Sequence, residues 1–188
     1  MALTGAVVAS SASSLAADIN TAVVYCSLKH NQDTPQESVR TNAQGTANVF
    51  AAELNAPVLE ILVSDTYPDT YNGAVEQAQQ EQEALSLVSL KSDPDVSAYD
   101  TIFVGFSVWG GTYPRAIASW LHNHDFTGND IYVFTSHMGS GLGQSVELMC
   151  AEFPQLHVVP LIAVRAYSED SAETKAQVQR ALAPIAAQ

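Results

Sequence analysis

The sequence predicts an α/β domain: a five-stranded parallel sheet with helices on both faces. Three observations carry this expectation. Short β-branched runs alternate with longer segments of helical spacing, the apolar runs lack the in-and-out alternation of half-exposed strands, and each parallel crossover requires a helix. With 188 residues, 47% of them hydrophobic, the chain is long enough for one domain with a full core. Residues 21–188 are read as that domain and residues 1–20 as a leader outside it.

Residues 1–17 carry no charge, are rich in Ala, Val and Ser, and finish in Ser14-Leu15-Ala16-Ala17. That ending resembles the cleavage region of an export signal, although the positively charged start of such a signal is missing. Either the recorded start lies downstream of the true one, or the segment is a low-complexity leader. The protein is accordingly expected in the cytoplasm, or exported after cleavage near Ala16-Ala17.

The first strand is Thr21-Ala22-Val23-Val24-Tyr25, a continuous apolar run. A long polar connection, residues 26–45, leads to a helix marked by Ala47, Phe50, Ala51 and Leu54. Val58-Leu59-Glu60-Ile61-Leu62 is the second strand. Residues 71–85 follow, dominated by Gln and Glu, as a helix with one thin apolar stripe of Val75, Ala78 and Leu85. Thr101-Ile102-Phe103-Val104 is the third strand, and its helix carries Ile117, Trp120 and Leu121, with Pro114 suited to the first turn. Ile131-Tyr132-Val133-Phe134 is the fourth, before a helix with Val146, Met149, Cys150 and Phe153. Residues 158–164 form the fifth, and Val178, Ala181, Leu182 and Ile185 mark the last helix. Right-handed crossovers follow from the strand twist.

Seven Lys+Arg against 20 Asp+Glu give a net charge of −13, which repels phosphate backbones and anionic lipid, and 8% aromatic residues leave few platforms for bases. No nucleic acid and no membrane insertion are expected. Such acidity serves solubility first and a basic partner protein second. Cys26 and Cys150 are too few for a disulfide framework and read as half-buried small apolar residues.

Ligands of open parallel sheets bind beyond the carboxyl ends of the strands. Three connections there are chemically distinctive. After strand one, Ser27 and the pair Gly45-Thr46 opening a helix can hold a phosphate through free N–H groups and the positive helix end; ordinary capping explains the same pair. After strand three comes Gly105-Phe106-Ser107-Val108-Trp109-Gly110-Gly111-Thr112-Tyr113-Pro114. A Trp between glycines is suited to lie against a planar ring, or else folds back onto its own helix. After strand four, Thr135-Ser136-His137-Met138-Gly139-Ser140-Gly141-Leu142-Gly143 offers backbone donors at three alternate glycines. His137 either donates to a ligand or is satisfied by backbone.

Two other chemistries are weaker. Gly105-Phe106-Ser107-Val108-Trp109 falls one glycine short of a nucleophile elbow, with Asp130 or Asp170 and His157 as improvised partners. His122, His124 and Asp125 crowd one helix end without a fourth metal ligand, and no metal site is expected.

Taken together these stretches, with Ala98-Tyr99-Asp100-Thr101-Ile102-Phe103-Val104-Gly105, Asp125-Phe126-Thr127-Gly128 and the region of Tyr67-Pro68 and residues 71–82, resemble the flavodoxin family. The likeness is to the bacterial branch in which a Trp-Gly loop precedes a Pro-initiated helix, and it covers residues 21–187. It implies a three-layer sandwich with strand order 2-1-3-4-5 and one noncovalent FMN. Ser27 and Thr46, with the backbone of Gln44 and Gly45, would hold the phosphate. Trp109 would stack on the isoalloxazine, flanked by the backbone of Val108, Gly110 and Gly111. The loop containing Ser136, His137, Gly139, Ser140 and Gly141 would cover the ring's other edge. The long insertion between Ser27 and Thr46 departs from the compact phosphate loop of most members; either it folds over the phosphate, with Lys29 or Arg40 supplying charge, or it loops into solvent.

The function so implied is electron transfer, with no catalytic side chain. An anionic reduced flavin in a protein of net charge −13 is costly, which suits a low-potential carrier. A backbone carbonyl at Gly110 or Gly111 would accept a hydrogen bond from the reduced ring. The rival readings are an FMN-dependent NAD(P)H:acceptor oxidoreductase of quinone type and a fold module that has lost flavin. Expected partners are a redox protein or a small-molecule acceptor, with the chain a monomer or weak dimer.

Overall fold

The computed structural model describes residues 20–26, 42–64, 67–68, 70–168 and 171–185. Calls on residues 1–19 lie outside them, as do those on Ser27, Lys29, Arg40 and Asp170. The elements run β1 (Thr21–Cys26), α1 (Asn42–Leu54), β2 (Val58–Val63), α2 (Tyr71–Glu83), β3 (Leu90–Ser92), β4 (Thr101–Ser107), α3 (Arg115–Asn123), β5 (Asp130–His137), α4 (Ser145–Glu152), β6 (His157–Arg165) and α5 (Ala172–Leu182).

The sheet has six strands in the order β3-β2-β1-β4-β5-β6, which corrects the expected five. The additional strand, β3, runs antiparallel to β2 at the sheet's edge and interrupts the strict strand–helix alternation. The other pairings are parallel, and those five strands keep the relative order expected of them. Leu90-Lys91-Ser92 is too short to show a period; only its pairing, Leu62 with Ser92 and Val63 with Leu90, makes it a strand.

Two apolar layers enclose the sheet. On one face Val23, Tyr25, Phe103, Tyr132 and Phe134 pack against Ala47 and Phe50 of α1 and Val178 and Leu182 of α5. On the other, Val24, Ile102, Val104, Phe106, Ile131 and Val133 pack against Ile117, Trp120 and Leu121 of α3 and Met149 of α4. Strand alternation produces this division, because successive side chains point to opposite faces. Gly105 has a packing reason to be glycine: a Cβ there would stand 2.0 Å from the Phe134 ring, which stacks on Phe50 at 4.5 Å. Pro160 lies on the edge strand β6, where a missing N–H is tolerated, and the register shifts beside it between Val133 and Phe134.

β4 and β5 reach three residues further than the apolar runs suggested, to Ser107 and His137. Ser136 and His137 therefore end a strand instead of belonging to the loop beyond it. The extension carries polar side chains on ladder-paired backbone to the carboxyl rim, with Ser107 beside Ser136. Among the described residues no helix is long and apolar enough to cross a membrane.

Candidate functional site

Beyond β4 the chain reverses tightly. Trp109 N donates to Thr112 O at 2.9 Å and Thr112 N returns the bond to Trp109 O at 3.0 Å. The two central residues, Gly110 and Gly111, have φ of +55° and +87°, left-handed values that glycine adopts without Cβ strain. Val108 N donates to Ser136 O at 3.1 Å, fastening the start of the turn to β5.

The connection after β5 docks onto this turn. Gln144 N donates to Gly111 O at 2.9 Å, and a Cβ on Gly143 would stand 2.1 Å from the same oxygen. Thr135 Oγ1 donates to Gly141 O at 3.0 Å and holds the middle of the connection over the strand end. His137 Nδ1 accepts from Gly139 N at 2.9 Å, so that amide is engaged locally and the ring's Nε2 is left as the donor. Gly111 O, one of two carbonyls proposed for the reduced ring, is committed to Gln144.

Room and unused polarity remain at this rim. A Cβ added at Gly111, Gly139 or Gly141 would meet nothing within 4 Å. Ser136 is 2% exposed, and its Oγ finds no hydrogen-bond partner among the described residues; Thr112 Oγ1 and Ser145 Oγ are in the same condition. A buried hydroxyl left unpaired costs about 1–3 kcal/mol. By strand alternation Ser107 and Ser136 face the α1/α5 layer, the side from which α1 rises. Ser140 is exposed.

Trp109 is half-buried. It meets Tyr67, from the β2–α2 connection, in an edge contact with ring centroids 5.4 Å apart and planes at 78°. The Tyr67 hydroxyl donates to Glu81 Oε2 at 2.6 Å, and Gln77 Nε2 donates to Glu81 Oε1 at 2.8 Å. Sequence reasoning missed this support. Tyr67-Pro68 was legible only as part of a resemblance, and Glu81 looked like one more acid on a polar helix.

At the phosphate end one expectation is corrected. Gly45 and Thr46 do not open α1, which begins at Asn42. The helix-end amides belong to the residues before Gly45. Gln44 is half-buried in the first turn, Gly45 is buried, and Thr46 is fully buried one turn in, on the helix stripe that also carries Ala43, Ala47 and Phe50. Cys26, which ends β1, is buried rather than half-buried, and burial, with the Glu60 charge adding, pushes its thiol up to about 12. It stays protonated and is no nucleophile at neutral pH. Cys150 is exposed on α4, again not half-buried.

The rival chemistries come apart in space. Asp130 and His157 pair at 2.6 Å, but they begin β5 and β6, at the amino rim, whereas Ser107 ends β4 at the carboxyl rim. A seven-residue strand separates the two, roughly 20 Å at 3.3 Å per residue. His124 Nε2 meets Asp93 at 2.9 Å, and among the described residues no group of three or more His, Cys, Asp or Glu could hold a metal.

The residues present fit a planar, anion-bearing cofactor. Open space over three glycines and an orphaned Ser136 hydroxyl accommodate a ring with polar edges, and the first turn of α1 offers amides on the same sheet face as Ser136. The flavodoxin family model matches residues 42–178. No curated protein matches. Among solved structures, a candidate flavoprotein from Bacteroides eggerthii is similar with a TM-score of 0.71 at 19% identity, over 91% of this chain and 100% of that one. A second, from Bacteroides uniformis, has a TM-score of 0.69 at 20% identity, over 86% and 98%. A Lactobacillus acidophilus flavoprotein in complex with FMN is similar with a TM-score of 0.61 at 18% identity, over 81% and 96%.

Proposed function

The chain belongs to the flavodoxin family, and from that premise we propose that it binds FMN noncovalently at the carboxyl rim of the sheet and serves in electron transfer. The observation that carries the proposal is the pair of docked turns after β4 and β5: they bring the Trp109 turn and the glycine-rich connection together at one rim, and an added Cβ at Gly111, Gly139 or Gly141 would meet nothing within 4 Å. A similar structure named as an FMN complex supports the choice of flavin.

In this reading Trp109 supplies a flat apolar wall for the ring. The Ser136 hydroxyl gains the hydrogen-bond partner it lacks, and the Gly110 carbonyl takes the accepting role toward the reduced ring, since Gly111 is engaged by Gln144. Gln44, in the first turn of α1, receives the phosphate together with Ser27; Gly45 and Thr46, whose amides lie beyond the free helix-end ones, drop out of that role. The bound flavin would supply one- and two-electron redox chemistry, and the protein's net charge of −13 disfavours added negative charge on it, lowering the potential. The partner is a redox protein or a small acceptor.

A second reading rests on its own observation. The connection after β5 has no aromatic residue, and its Met138 is 74% exposed beside the open glycines. A ring walled on one side by Trp109 would leave its other side accessible to a second substrate, as an NAD(P)H:acceptor oxidoreductase requires.

Visible flavin absorbance in the purified protein, with release of the cofactor on denaturation and its identification as FMN, is the expected result. A colourless protein that takes up no added FMN would overturn the proposal and leave a fold module without flavin. Steady-state oxidation of NAD(P)H by the isolated holoprotein separates reductase from carrier.

A further inference from the structure

Trp109 stands on a turn whose backbone is pinned at several points, but its side chain has a separate support from another part of the chain. Tyr67 lies 42 positions away in sequence, is 5% exposed, and sets its ring against the indole at 5.4 Å and 78°. The tyrosine is itself restrained. Its hydroxyl donates at 2.6 Å to Glu81 Oε2, and the other carboxylate oxygen accepts from Gln77 at 2.8 Å, both partners being one turn apart on α2. The same helix backs the turn beneath: the Cβ position of Gly110 lies 4.0 Å from Gln79 Cγ.

We propose that Tyr67, held by Glu81, is a positioning residue that fixes the tilt of the Trp109 indole before any ligand arrives. The inference rests on the reading that Trp109 is the ring-facing residue. An edge contact leaves rotation of the indole disfavoured, because turning either ring out of the tilted arrangement loses the favourable alignment of ring edge with ring face. Ordering the indole in the free protein removes an entropic cost from binding, so affinity for a planar ligand rises without a new contact to it. α2, dominated by Gln and Glu, thereby acquires a role its composition does not announce.

The protein has two tryptophans, and Trp120 is fully buried with Nε1 donating to Pro94 O at 2.9 Å, so quenching by a soluble quencher reads Trp109 alone. In flavin-free protein, Tyr67→Leu is expected to raise the quenching constant about twofold and to weaken the near-ultraviolet circular dichroism of the indole, and in titration to weaken FMN binding about tenfold. Tyr67→Phe keeps the ring but drops the bond to Glu81 and should fall between; Glu81→Gln keeps an acceptor and should stay within about twofold of wild type. Should Tyr67→Leu not fold, the same ordering of Tyr67→Phe below Glu81→Gln in restraint decides. Unchanged quenching and dichroism in the folded tyrosine variants would overturn the inference. If wild type takes up no FMN, the flavin reading fails, and the quenching arm still decides whether Tyr67 orders Trp109.

Discussion

The two ends of the sheet spend their hydrogen-bonding capacity differently. At the amino end, polar groups close on one another: Asn129 Nδ2 donates to Tyr99 O at 2.6 Å, Asp100 N donates to Asn20 O at 2.9 Å, and His157 meets Asp130 at 2.6 Å. Thr21 Oγ1 is the one orphan there among the described residues. At the carboxyl end three buried hydroxyls, on Thr112, Ser136 and Ser145, lack partners among the described residues, and three glycines face open space, as Gly128 alone does at the amino end of the described residues. Folding rarely leaves such groups unpaired. Unspent polarity thus gathers, among the described residues, at the end where an open parallel sheet places its ligand.

The strongest break in this contrast is at the staple that holds the carboxyl-side turn to its neighbours. Arg115, 1% exposed, donates to both carboxylate oxygens of Glu152 at 2.6 and 2.8 Å and to the carbonyls of Ser86 and Leu85 at 2.9 and 3.1 Å. Tyr113, one residue past the turn, donates to the same carboxylate at 2.6 Å. Arg115→Ala is expected to cost about 3–5 kcal/mol in urea denaturation, because it strands the carboxylate. The pH dependence has a definite sign. Arg115 hydrogen bonding holds the Glu152 carboxyl below its ordinary range. Its contribution is therefore complete above the unfolded carboxyl pKa, near ~4.3, and is lost as pH falls through the lower folded value. Denaturation midpoints between neutral and acid pH check this, and Glu152→Gln should flatten that part of the profile.

Gly143→Ala sharpens the comparison more narrowly. Its φ is +56°, and the new Cβ would press on Gly111 O, so the docked turns must separate. Stability should fall by about 1–3 kcal/mol, with a loss of FMN affinity by titration that exceeds what Trp109 exposure alone produces. The smallest effect belongs to the amino end. His157→Ala removes an exposed pair, the side chains being 71% and 46% exposed, and should change stability by no more than about 0.5 kcal/mol while leaving flavin binding untouched.

Much of this was legible in the residues themselves. The two-faced helices announce their spacing, as with Ala47, Phe50, Ala51 and Leu54, and the strands their unbroken apolar runs. The three rim connections announce their glycines, because positive φ has few other sources. The strand ends were not legible, since Ser107, Ser136 and His137 interrupt the apolar signal while their backbones continue the ladder. Nor was β3, which is too short for a pattern. Thr46 was misplaced because a Gly-Thr pair marks a helix start only locally, and the helix begins three residues earlier.

What the sequence by itself determined is the alternation of strand and helix and the chemistry gathered after strands three and four, since both are written in intervals of a few residues. Tertiary structure alone decided which of those groups remain unpaired, that Gln144 claims the Gly111 carbonyl, and that Tyr67 meets Trp109. Those outcomes depend on contacts between segments distant along the chain, such as Arg115 with Glu152 at a separation of 37 residues. Packing of whole layers brings such segments together, and no local propensity encodes it.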